Sequence, residues 1–453
     1  MELGQIENVY FIGIGGIGMS ALARCLNSAG KTVIGYDKSP TQLTQKLENE
    51  GISIHFEDNI NHIPKNFTKE NTLVVITPAI QKSHTEWNFF LRNSYVIKKR
   101  AEVLGIITKN TYCFAVAGTH GKTTTSSILG HILFEAGEEV TAFVGGIVEN
   151  YGSNLIGSGA KVTVVEADEF DRSFLQLYPD VACITSMDAD HLDIYGDKDS
   201  IETAFKEFAE KVENKSRLFV TKGLPLCGKA IAVGEDADFK VLDIRVDSAS
   251  GEYLFSIQTP DCIIPDLRFG LLGRHNLSNA LMASAMAWTH GISADQLRRS
   301  LCSFKGIKRR FSYQIKTENL VYIDDYAHHP TEIDAVHQAV RELYPSKRIL
   351  AVFQPHLFSR TKDFIDGFAE SLSKFDQIFL LDIYPAREHP IEGVTSEWLL
   401  SKIESPGKRL IAKSHVIHEL IDSDPEVVIT IGAGDIGEMV PGIRDALLGQ
   451  EAR

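Results

Sequence analysis

Short runs rich in β-branched residues alternate with helix-favouring stretches from one end of the 453-residue chain to the other. The clearest runs are Val9–Ile14, Thr72–Ile76, Tyr112–Ala117, Val162–Glu166 and Val427–Ile431. Strands separated by helical segments pair in parallel, because a parallel connection has to cross the face of the sheet and usually does so as a helix. The alternation therefore predicts the α/β class with parallel sheets.

The chain is too long for a single hydrophobic core, since a domain usually has about 150 residues. A strand enters a second phosphate-type loop at Tyr112–Lys122, which predicts a new nucleotide-binding unit from about residue 106. Strand patterns restart after the basic stretch Lys305–Phe311, and the shorter strands between 230 and 270 indicate an antiparallel addition to the middle of the chain. We predict three domains, at residues 1–105, 106–309 and 310–453.

Charge and composition exclude several classes of protein. Asp and Glu total 60 against 46 for Lys and Arg, and the net charge of −14 argues against nucleic acid as the main partner. No apolar stretch approaches the roughly 20 residues that cross a bilayer, and no basic segment precedes the first apolar run as in a signal peptide. The six scattered cysteines are typical of free thiols. We expect a cytoplasmic protein without membrane insertion, monomeric or dimeric.

The first glycine-rich loop contains Gly13, Gly15, Gly16 and Gly18, directly after a strand and before a helical stretch. Glycines at this place let the backbone approach a pyrophosphate, which is then bound at the N-terminus of the helix. Asp37 ends the next strand at the spacing expected for a ribose contact. The loop predicts a pyrophosphate ligand, either a nicotinamide dinucleotide or a UDP-sugar, and close helix–strand packing is the alternative.

A second loop reads Gly118-Thr119-His120-Gly121-Lys122-Thr123-Thr124-Thr125. It follows the strand Tyr112–Ala117 and precedes a predicted helix at Ser126–Phe134. In such a loop the backbone N–H groups surround phosphates, Lys122 reaches the β- and γ-phosphates, and the Thr123 hydroxyl binds Mg²⁺. The loop departs from the standard P-loop because Val116 stands where glycine is usual. It predicts an ATP site.

Acidic residues follow two further strands. Glu166, Asp168 and Glu169 lie at the end of one, and the segment from Asp188 to Asp193, which includes His191, follows the next. Because the carboxyl ends of parallel strands meet at one edge of a sheet, these carboxylates are natural Mg²⁺ ligands beside ATP. A solvated acidic cluster, with a structural histidine, is the alternative.

Polar residues later in the chain fall into two groups. Asn276 and Asn279 share one face of a predicted helix, where they would read a purine or ribose or else cap the helix. Asp325 and His356 each follow a strand and are expected at the functional edge of a sheet. The neighbouring His328 and His329 lack the partners of a zinc site. A lone arginine such as Arg360 is usually a surface residue.

Between residues 13 and 388 the motifs occur in the order GIGGIGMS, GTHGKTTT, EADE, DADHLD, GRHNLSNA, RRF, DDYAHHPTEI, FQPHLFSRT and IYPARE. This order resembles that of the Mur ligases of peptidoglycan synthesis. GTHGKTTT alone marks the wider superfamily of ATP-dependent amide ligases. The first, seventh and eighth motifs resemble most closely the member that joins L-alanine to UDP-N-acetylmuramate.

The resemblance implies a Rossmann-like N-terminal domain that binds UDP-N-acetylmuramate, a central P-loop-type ATPase domain, and a Rossmann-like C-terminal domain that binds the amino acid. To the nucleotide sugar it assigns Gly13, Gly15, Gly16, Gly18, Met19, Ser20 and Asp37. To ATP it assigns Gly118, Thr119, His120, Gly121, Lys122, Thr123, Thr124, Asn276, Asn279, Arg310 and Asp325. It implies Mg²⁺ bound by Thr123, Glu166 and His191, and an amino-acid side formed by Tyr326, His328, His356 and Arg360. The implied catalytic residues are Lys122, Glu166, His191, Arg310, His356 and Arg360.

The activity implied by the resemblance is formation of an amide through an acyl phosphate, at the expense of ATP. Three alternatives stay open from the sequence: a related ligase that joins a recycled tripeptide to the same nucleotide sugar, a dinucleotide-dependent oxidoreductase fused to an ATPase, and a binding protein without catalysis. One position departs from the family pattern. Leu357 stands where many relatives have an arginine after the histidine of FQPH.

Overall fold

The computed structural model describes residues 3–188, 198–247, 251–386 and 388–451. The chain divides into two compact units. The first comprises Met1–Gly270 and Ser278–Lys305, and the second comprises Leu271–Leu277 and Gly306–Arg453. The first unit contains two β-sheets and the second contains one. The division into three domains at 105 and 309 stays a prediction.

The first sheet has five strands, all parallel, in the order β3-β2-β1-β4-β5. Every residue of the central strand is buried, as expected for a parallel sheet covered on both faces. The strands are β1 Asn8–Ile12, β2 Thr32–Tyr36, β3 Ser53–His55, β4 Thr72–Ile76 and β5 Val96–Lys99. The helices are α1 Ile17–Ser28, α2 Gln42–Asn49, α3 Thr85–Arg92 and α4 Arg100–Lys109.

The second sheet has ten strands in the order β15-β14-β13-β12-β11-β10-β6-β9-β7-β8. Its centre is parallel, whereas β8 and the pair β14 and β15 are antiparallel to their neighbours. The strands are β6 Tyr112–Ala117, β7 Val140–Val148, β8 Ser153–Ile156, β9 Val162–Ala167, β10 Val181–Ile184, β11 Leu218–Thr221, β12 Lys229–Val233, β13 Phe239–Val246, β14 Tyr253–Gln258 and β15 Ile263–Phe269. The helices are α5 Lys122–Glu135, α6 Lys198–Glu210, α7 Arg274–His290 and α8 Ala294–Ser303.

The third sheet lies in the second unit and has the order β16-β17-β21-β18-β19-β20. Only β16 is antiparallel to its neighbour. The strands are β16 Ser312–Lys316, β17 Val321–Asp325, β18 Ile349–Phe353, β19 Gln377–Leu380, β20 Gly407–Leu410 and β21 Val427–Ile431. The helices are α9 Pro330–Leu343, α10 Phe358–Asp363, α11 Ile365–Leu372, α12 Ser396–Lys402, α13 Val416–Ser423 and α14 Ile436–Glu451.

The α/β class and its parallel sheets are confirmed. The antiparallel addition expected between 230 and 270 is present, and it extends one edge of the second sheet. The helix predicted from Ser126 begins earlier, at Lys122, because Gly121 adopts φ +82° and turns the loop directly into the helix. In the part of the chain that the structure describes, no helix is both long and apolar enough to cross a membrane.

A buried polar junction joins the first turn of α1 to strand β8. The amide of Asn154, which is fully buried in β8, donates to Ser20 Oγ at 3.0 Å and to the carbonyl of Ile17. Its oxygen accepts a hydrogen bond from Arg24, which also pairs with Glu50 at 2.7 Å. Buried polar groups of this kind are costly when unpaired, so Asn154 fixes the helix that follows the first glycine loop.

Replacing Asn154 with alanine is expected to lower the free energy of unfolding by about 2–3 kcal/mol, because the Ile17 carbonyl and the Arg24 guanidinium lose a buried partner. Urea unfolding of the full chain, followed by circular dichroism, measures the effect. The matched control is Glu50→Gln, since Glu50 is 42% exposed and its pair with Arg24 is worth less than about 1 kcal/mol. Equal losses in the two variants would contradict the role of Asn154 at this junction.

Candidate active site

The first glycine loop is closed by backbone hydrogen bonds and by one carboxylate. The N–H groups of Gly13 and Ile14 donate to the Tyr36 carbonyl at 2.8 and 3.0 Å. Gly15 donates to Asp37 Oδ2 at 2.7 Å, and a Cβ at Gly15 would lie 2.8 Å from the same oxygen. Asp37, predicted to contact a ribose, therefore holds the loop itself in place.

Two further residues of this motif face the interior. Met19 is 3% exposed and Ser20 is fully buried. The Ser20 hydroxyl donates to the Ile17 carbonyl at 2.9 Å and accepts the amide of Asn154. Gly16 directly precedes α1, so the N–H groups of the first turn of the helix follow the loop at the carboxyl end of β1. This is the position at which parallel α/β sheets bind pyrophosphates.

The second glycine loop is held by residues that follow β10. Thr119 Oγ1 and Ser186 Oγ lie 2.9 Å apart, and His120 N donates to the same Ser186 oxygen at 2.8 Å. His120 Nε2 lies 3.2 Å from a carboxylate oxygen of Asp188. Gly118 adopts φ +133°, a conformation that strains any residue with a side chain. These contacts hold the loop in a defined conformation, and its binding of phosphate stays a prediction.

Lys122, the first residue of α5, forms a buried ion pair with Glu169. Its Nζ lies 2.8 and 3.0 Å from the two carboxylate oxygens and 2.6 Å from the Gly118 carbonyl. Burial alone would lower the pKa of Lys122, but Glu169, Asp168 and Glu166 more than offset it, so the pKa is raised. The lysine thus stays cationic beside the loop. The sequence predicts Glu169 among the candidate magnesium ligands. In the structure, both of its carboxylate oxygens accept hydrogen bonds from Lys122.

Glu166, the last residue but one of β9, has a different set of partners from Glu169. Its oxygens lie 3.3 Å from Thr123 Oγ1 and 3.2 Å from Ser126 Oγ, and Gly145 N donates to it. Octahedral Mg²⁺ holds its oxygens at about 2.1 Å, so adjacent ligand oxygens lie about 3 Å apart. The Thr123 hydroxyl and the Glu166 carboxylate fit two such neighbouring positions. His191, the third predicted ligand, lies outside the described residues.

Helix α7 carries the two asparagines that were expected to read a nucleotide. Asn279 contacts the second loop: its Oδ1 accepts a hydrogen bond from Thr125 at 3.2 Å, and a Cβ at Gly121 would lie 2.5 Å from it. Asn276 is 3% exposed, and its amide donates to the Leu272 carbonyl at 2.8 Å. Asn279 therefore shapes the loop, and Asn276 supports the start of the helix. Thr124 is also buried in α5.

Among the described residues, one group of three side chains has the spacing of metal ligands: Asp58, His84 and Glu86. Asp58 accepts the backbone N–H groups of Thr85 at 2.7 Å and of Glu86 at 3.0 Å, which begin α3. Tyr10 donates its hydroxyl to Glu86 at 2.9 Å, and burial raises the pKa of Glu86 to about 7. These side chains cap a helix and fill a core, so we do not assign a metal to them.

In the second unit, Asp325 is buried at the end of β17. One carboxylate oxygen accepts the N–H of Phe311 at 2.7 Å, and the other accepts the N–H of Ala327 at the same distance. Burial raises the pKa of Asp325 to about 6, although the nearby Arg310 acts in the opposite direction. Asp325 therefore fixes the segments that carry Arg310 and the following aromatic residues.

Four side-chain rings form a row beside Asp325, which we call the ring row: Tyr326, His328, His356 and Tyr384. The Arg310 guanidinium lies 5.2 Å from the centre of the Tyr326 ring. His328 follows, 5.4 Å from Tyr326, with its Nδ1 3.0 Å from the Tyr326 carbonyl. His356 lies 6.2 Å from His328 and stacks on Tyr384 at 5.7 Å. The structure thus brings together most of the residues predicted for the amino-acid side.

Arg360 and Leu357 lie at the start of α10. Arg360 is 8% exposed, so it is buried and is not an ordinary surface arginine. Leu357 has φ +73°, and its N–H donates to the Tyr384 carbonyl at 2.9 Å. The backbone at 357 thus turns sharply between the His356 ring and the helix that carries Arg360. Arg387, of the motif that contains Tyr384, lies outside the described residues.

Arg309 was not predicted from sequence as a site residue, since only its neighbour Arg310 was given a role. Its guanidinium donates to the Gly432 carbonyl at 2.5 Å and lies 3.4 Å from Asp324. It also lies 5.1 Å from the Tyr326 ring. The turn at Gly432, which directly follows β21, therefore accepts a hydrogen bond from an arginine of the RRF motif. The RRF motif was the available signal, because both of its arginines lie over the Tyr326 ring and Arg309 also reaches Gly432.

These features define a nucleotide-binding α/β protein in which the buried Lys122–Glu169 pair and the Thr123–Glu166 pair lie at the second glycine loop. Comparison with protein-family models extends this description. Residues 8–112 match the catalytic domain of the Mur ligase family, residues 116–287 match the Mur ligase middle domain, and residues 309–434 match the Mur ligase glutamate ligase domain. The first match covers the segment for which an oxidoreductase was the alternative, and it favours the ligase interpretation.

Individual relatives match along the whole chain. The chain is 66% identical to the UDP-N-acetylmuramate–L-alanine ligase of Flavobacterium johnsoniae, over 99% of both proteins. It is 46% identical to the protein of the same name from Cytophaga hutchinsonii, over 98% of this chain and 97% of that one. A crystal structure of the UDP-N-acetylmuramate–alanine ligase of Thermotoga maritima superposes with a TM-score of 0.80 at 26% identity, over 98% and 99% of the two chains. The chain belongs to the Mur ligase family.

Replacing Glu169 with glutamine is expected to lower the thermal stability of the protein without nucleotide, because the Lys122 ammonium loses its buried counter-charge at a cost of about 3 kcal/mol. Mg-ATP supplies negative charge to the same lysine. The rise in the unfolding temperature on adding Mg-ATP should therefore be larger in Glu169→Gln than in the parent protein, as measured by differential scanning fluorimetry.

The matched control is Glu207→Gln. Glu207 also pairs with a cation, Arg172, but both side chains are 48% exposed, so the loss should be within about 1 kcal/mol. An equal response of Glu169→Gln and the parent protein to Mg-ATP would contradict the assignment of Glu169 to Lys122.

Proposed function

We propose that this chain is an ATP-dependent ligase that joins L-alanine to the lactyl carboxylate of UDP-N-acetylmuramate, in the synthesis of peptidoglycan precursors. The observation that carries the proposal is the 66% identity, over 99% of both chains, to a relative of that name. The geometry of the second glycine loop supports it, because Lys122, Thr123 and Glu166 lie together where ATP phosphates are bound in such loops.

In the first step, an oxygen of the lactyl carboxylate attacks the γ-phosphorus of ATP. The bond from that phosphorus to the β–γ bridging oxygen breaks, and ADP leaves with the electron pair, so that an acyl phosphate forms. Charge spreads over the moving phosphoryl group in such reactions. Lys122 stabilises this charge, and Glu169 holds the lysine in the position from which it reaches the phosphates.

Mg²⁺ fits the oxygens of Thr123 and Glu166, and the family resemblance adds His191 as a third ligand. When bound, the ion would neutralise phosphate charge beside Lys122. The Gly145 N–H and the Ser126 hydroxyl both donate hydrogen bonds to Glu166. These bonds orient the Glu166 carboxylate toward Thr123.

In the second step, the amine of alanine attacks the acyl carbonyl and phosphate leaves. The amine must first lose a proton, which a neighbouring base accepts. Candidates are His191 and a histidine of the ring row, and we assign Tyr326, His328, His356 and Arg360 to the alanine side by family resemblance. Asn276, Asn279, Arg310 and Asp325 are assigned to the nucleotide on the same basis. A cytoplasmic location agrees with the free cysteines and with the use of ATP.

Phosphate release from the purified protein tests the proposal. The assay contains Mg-ATP and UDP-N-acetylmuramate, and the acceptor is varied among L-alanine, glycine, L-serine and the recycled tripeptide. We expect release that requires both the nucleotide sugar and L-alanine, and that stops on chelation of magnesium. Lys122→Ala should lower kcat by at least about a hundredfold, since it removes a charge that acts on the transferred phosphoryl group.

Two results would contradict the proposal. Release with the tripeptide but not with free alanine would assign the protein to the recycling ligase, and Leu357 would be the first position to examine. No release with any acceptor, from protein that still binds ATP, would contradict catalysis itself.

A further inference from the structure

Arg100 lies between the first glycine-rich motif and the segment that follows β9. It is the first residue of α4 and directly follows β5, at the carboxyl edge of the first sheet. Its guanidinium packs against Gly18, in the first turn of α1 that follows the first glycine loop: a Cβ at Gly18 would lie 2.8 Å from Arg100 Nη1 and 3.0 Å from Cζ. Any side chain at 18 would displace the arginine, which gives a physical reason for glycine at this position.

The guanidinium is largely uncommitted. Among the described residues, Arg100 donates no hydrogen bond that meets ordinary geometry, and its ionic partner Asp168 lies 3.9 Å away. The side chains of Arg100 and Asp168 are 29% and 39% exposed, so this contact is weak. An arginine has five N–H donors in a planar fork, and those of Arg100 remain available to a ligand.

The place and the chemistry of Arg100 suit a diphosphate. The first glycine loop ends at the N-terminus of α1, where backbone N–H groups favour an anion. The planar fork of an arginine matches two phosphate oxygens, in a geometry that a lysine does not reproduce. Lys98, two residues before Arg100, does not share this position, because it pairs with Glu102 at 3.6 Å within the same segment.

We propose that Arg100 is a binding residue for the pyrophosphate of the nucleotide sugar. The inference rests on the proposed function, because it takes the ligand of the first loop to be UDP-N-acetylmuramate. It adds a side-chain contact to the backbone N–H groups at the N-terminus of α1. The position of Arg100 against Gly18 favours the pyrophosphate over the lactyl carboxylate, which has to reach the second loop.

Isothermal titration calorimetry with UDP and with UDP-N-acetylmuramate tests the inference in the full-length protein. Arg100→Ala should raise the Kd of both ligands by about tenfold to a hundredfold, the effect of losing charged hydrogen bonds. Arg100→Lys keeps the charge but not the fork, and it should give a smaller loss for both. The KM for ATP should change by less than about threefold in both variants, because the second loop is untouched.

Lys98→Ala is the matched control, since it removes one positive charge two residues away, and it should leave both Kd values unchanged. Unchanged affinity of Arg100→Ala for UDP would overturn the inference, whether or not UDP-N-acetylmuramate binding is lost. The same loss in Asp168→Asn would overturn it as well, since Arg100 would then act only through that ion pair. If Arg100→Ala fails to fold, Arg100→Lys carries the test, and wild-type affinity for UDP in that variant would overturn the inference.

Failure of the proposed function would look different. The parent protein would then bind UDP-N-acetylmuramate no better than an unrelated nucleotide sugar, before any variant is compared.

Discussion

The buried ion pair between Lys122 and Glu169 is the interaction on which the phosphate loop depends. A lysine that is almost out of water at the start of α5 needs a counter-charge, and β9 supplies it from the segment that follows the strand. The same strand carries Glu166 one residue before its end, and Glu166 contacts Thr123. One parallel strand beside β6 therefore provides both the group that keeps the lysine cationic and the group that fits a magnesium ion, three residues apart.

The hairpin of β7 and β8 links this site to the other glycine loop of the first unit. Gly145 in β7 donates to Glu166, whereas Asn154 in β8 holds the first turn of α1. A ligase of the proposed kind must bring a carboxylate on a nucleotide sugar to the γ-phosphate of ATP, and rate falls steeply when reacting atoms are misplaced. The β7–β8 hairpin serves that requirement, because it contacts both loops from within one sheet.

The sequence predicted the sheets well because buried parallel strands are read directly from apolar β-branched runs, as in β4 and β6. It also placed Lys122, Thr123 and Glu166 in one site, since consecutive strand ends meet at one edge. It could not predict that Asp37 closes the first loop or that Asn154 anchors α1, because both contacts join residues distant in sequence. Burial of Arg360, likewise, depends on the packing of α10 and not on its neighbours in the chain.

The central claim is that the lactyl carboxylate itself receives the γ-phosphoryl group. The most direct test uses UDP-N-acetylmuramate labelled with ¹⁸O in that carboxylate, with L-alanine and Mg-ATP, and mass spectrometry of the released phosphate. Transfer through an acyl phosphate predicts that one ¹⁸O passes from the carboxylate to the phosphate in each turnover. Phosphate without label, alongside the formed amide, would contradict a mechanism in which Lys122, Thr123 and Glu166 act on that transfer.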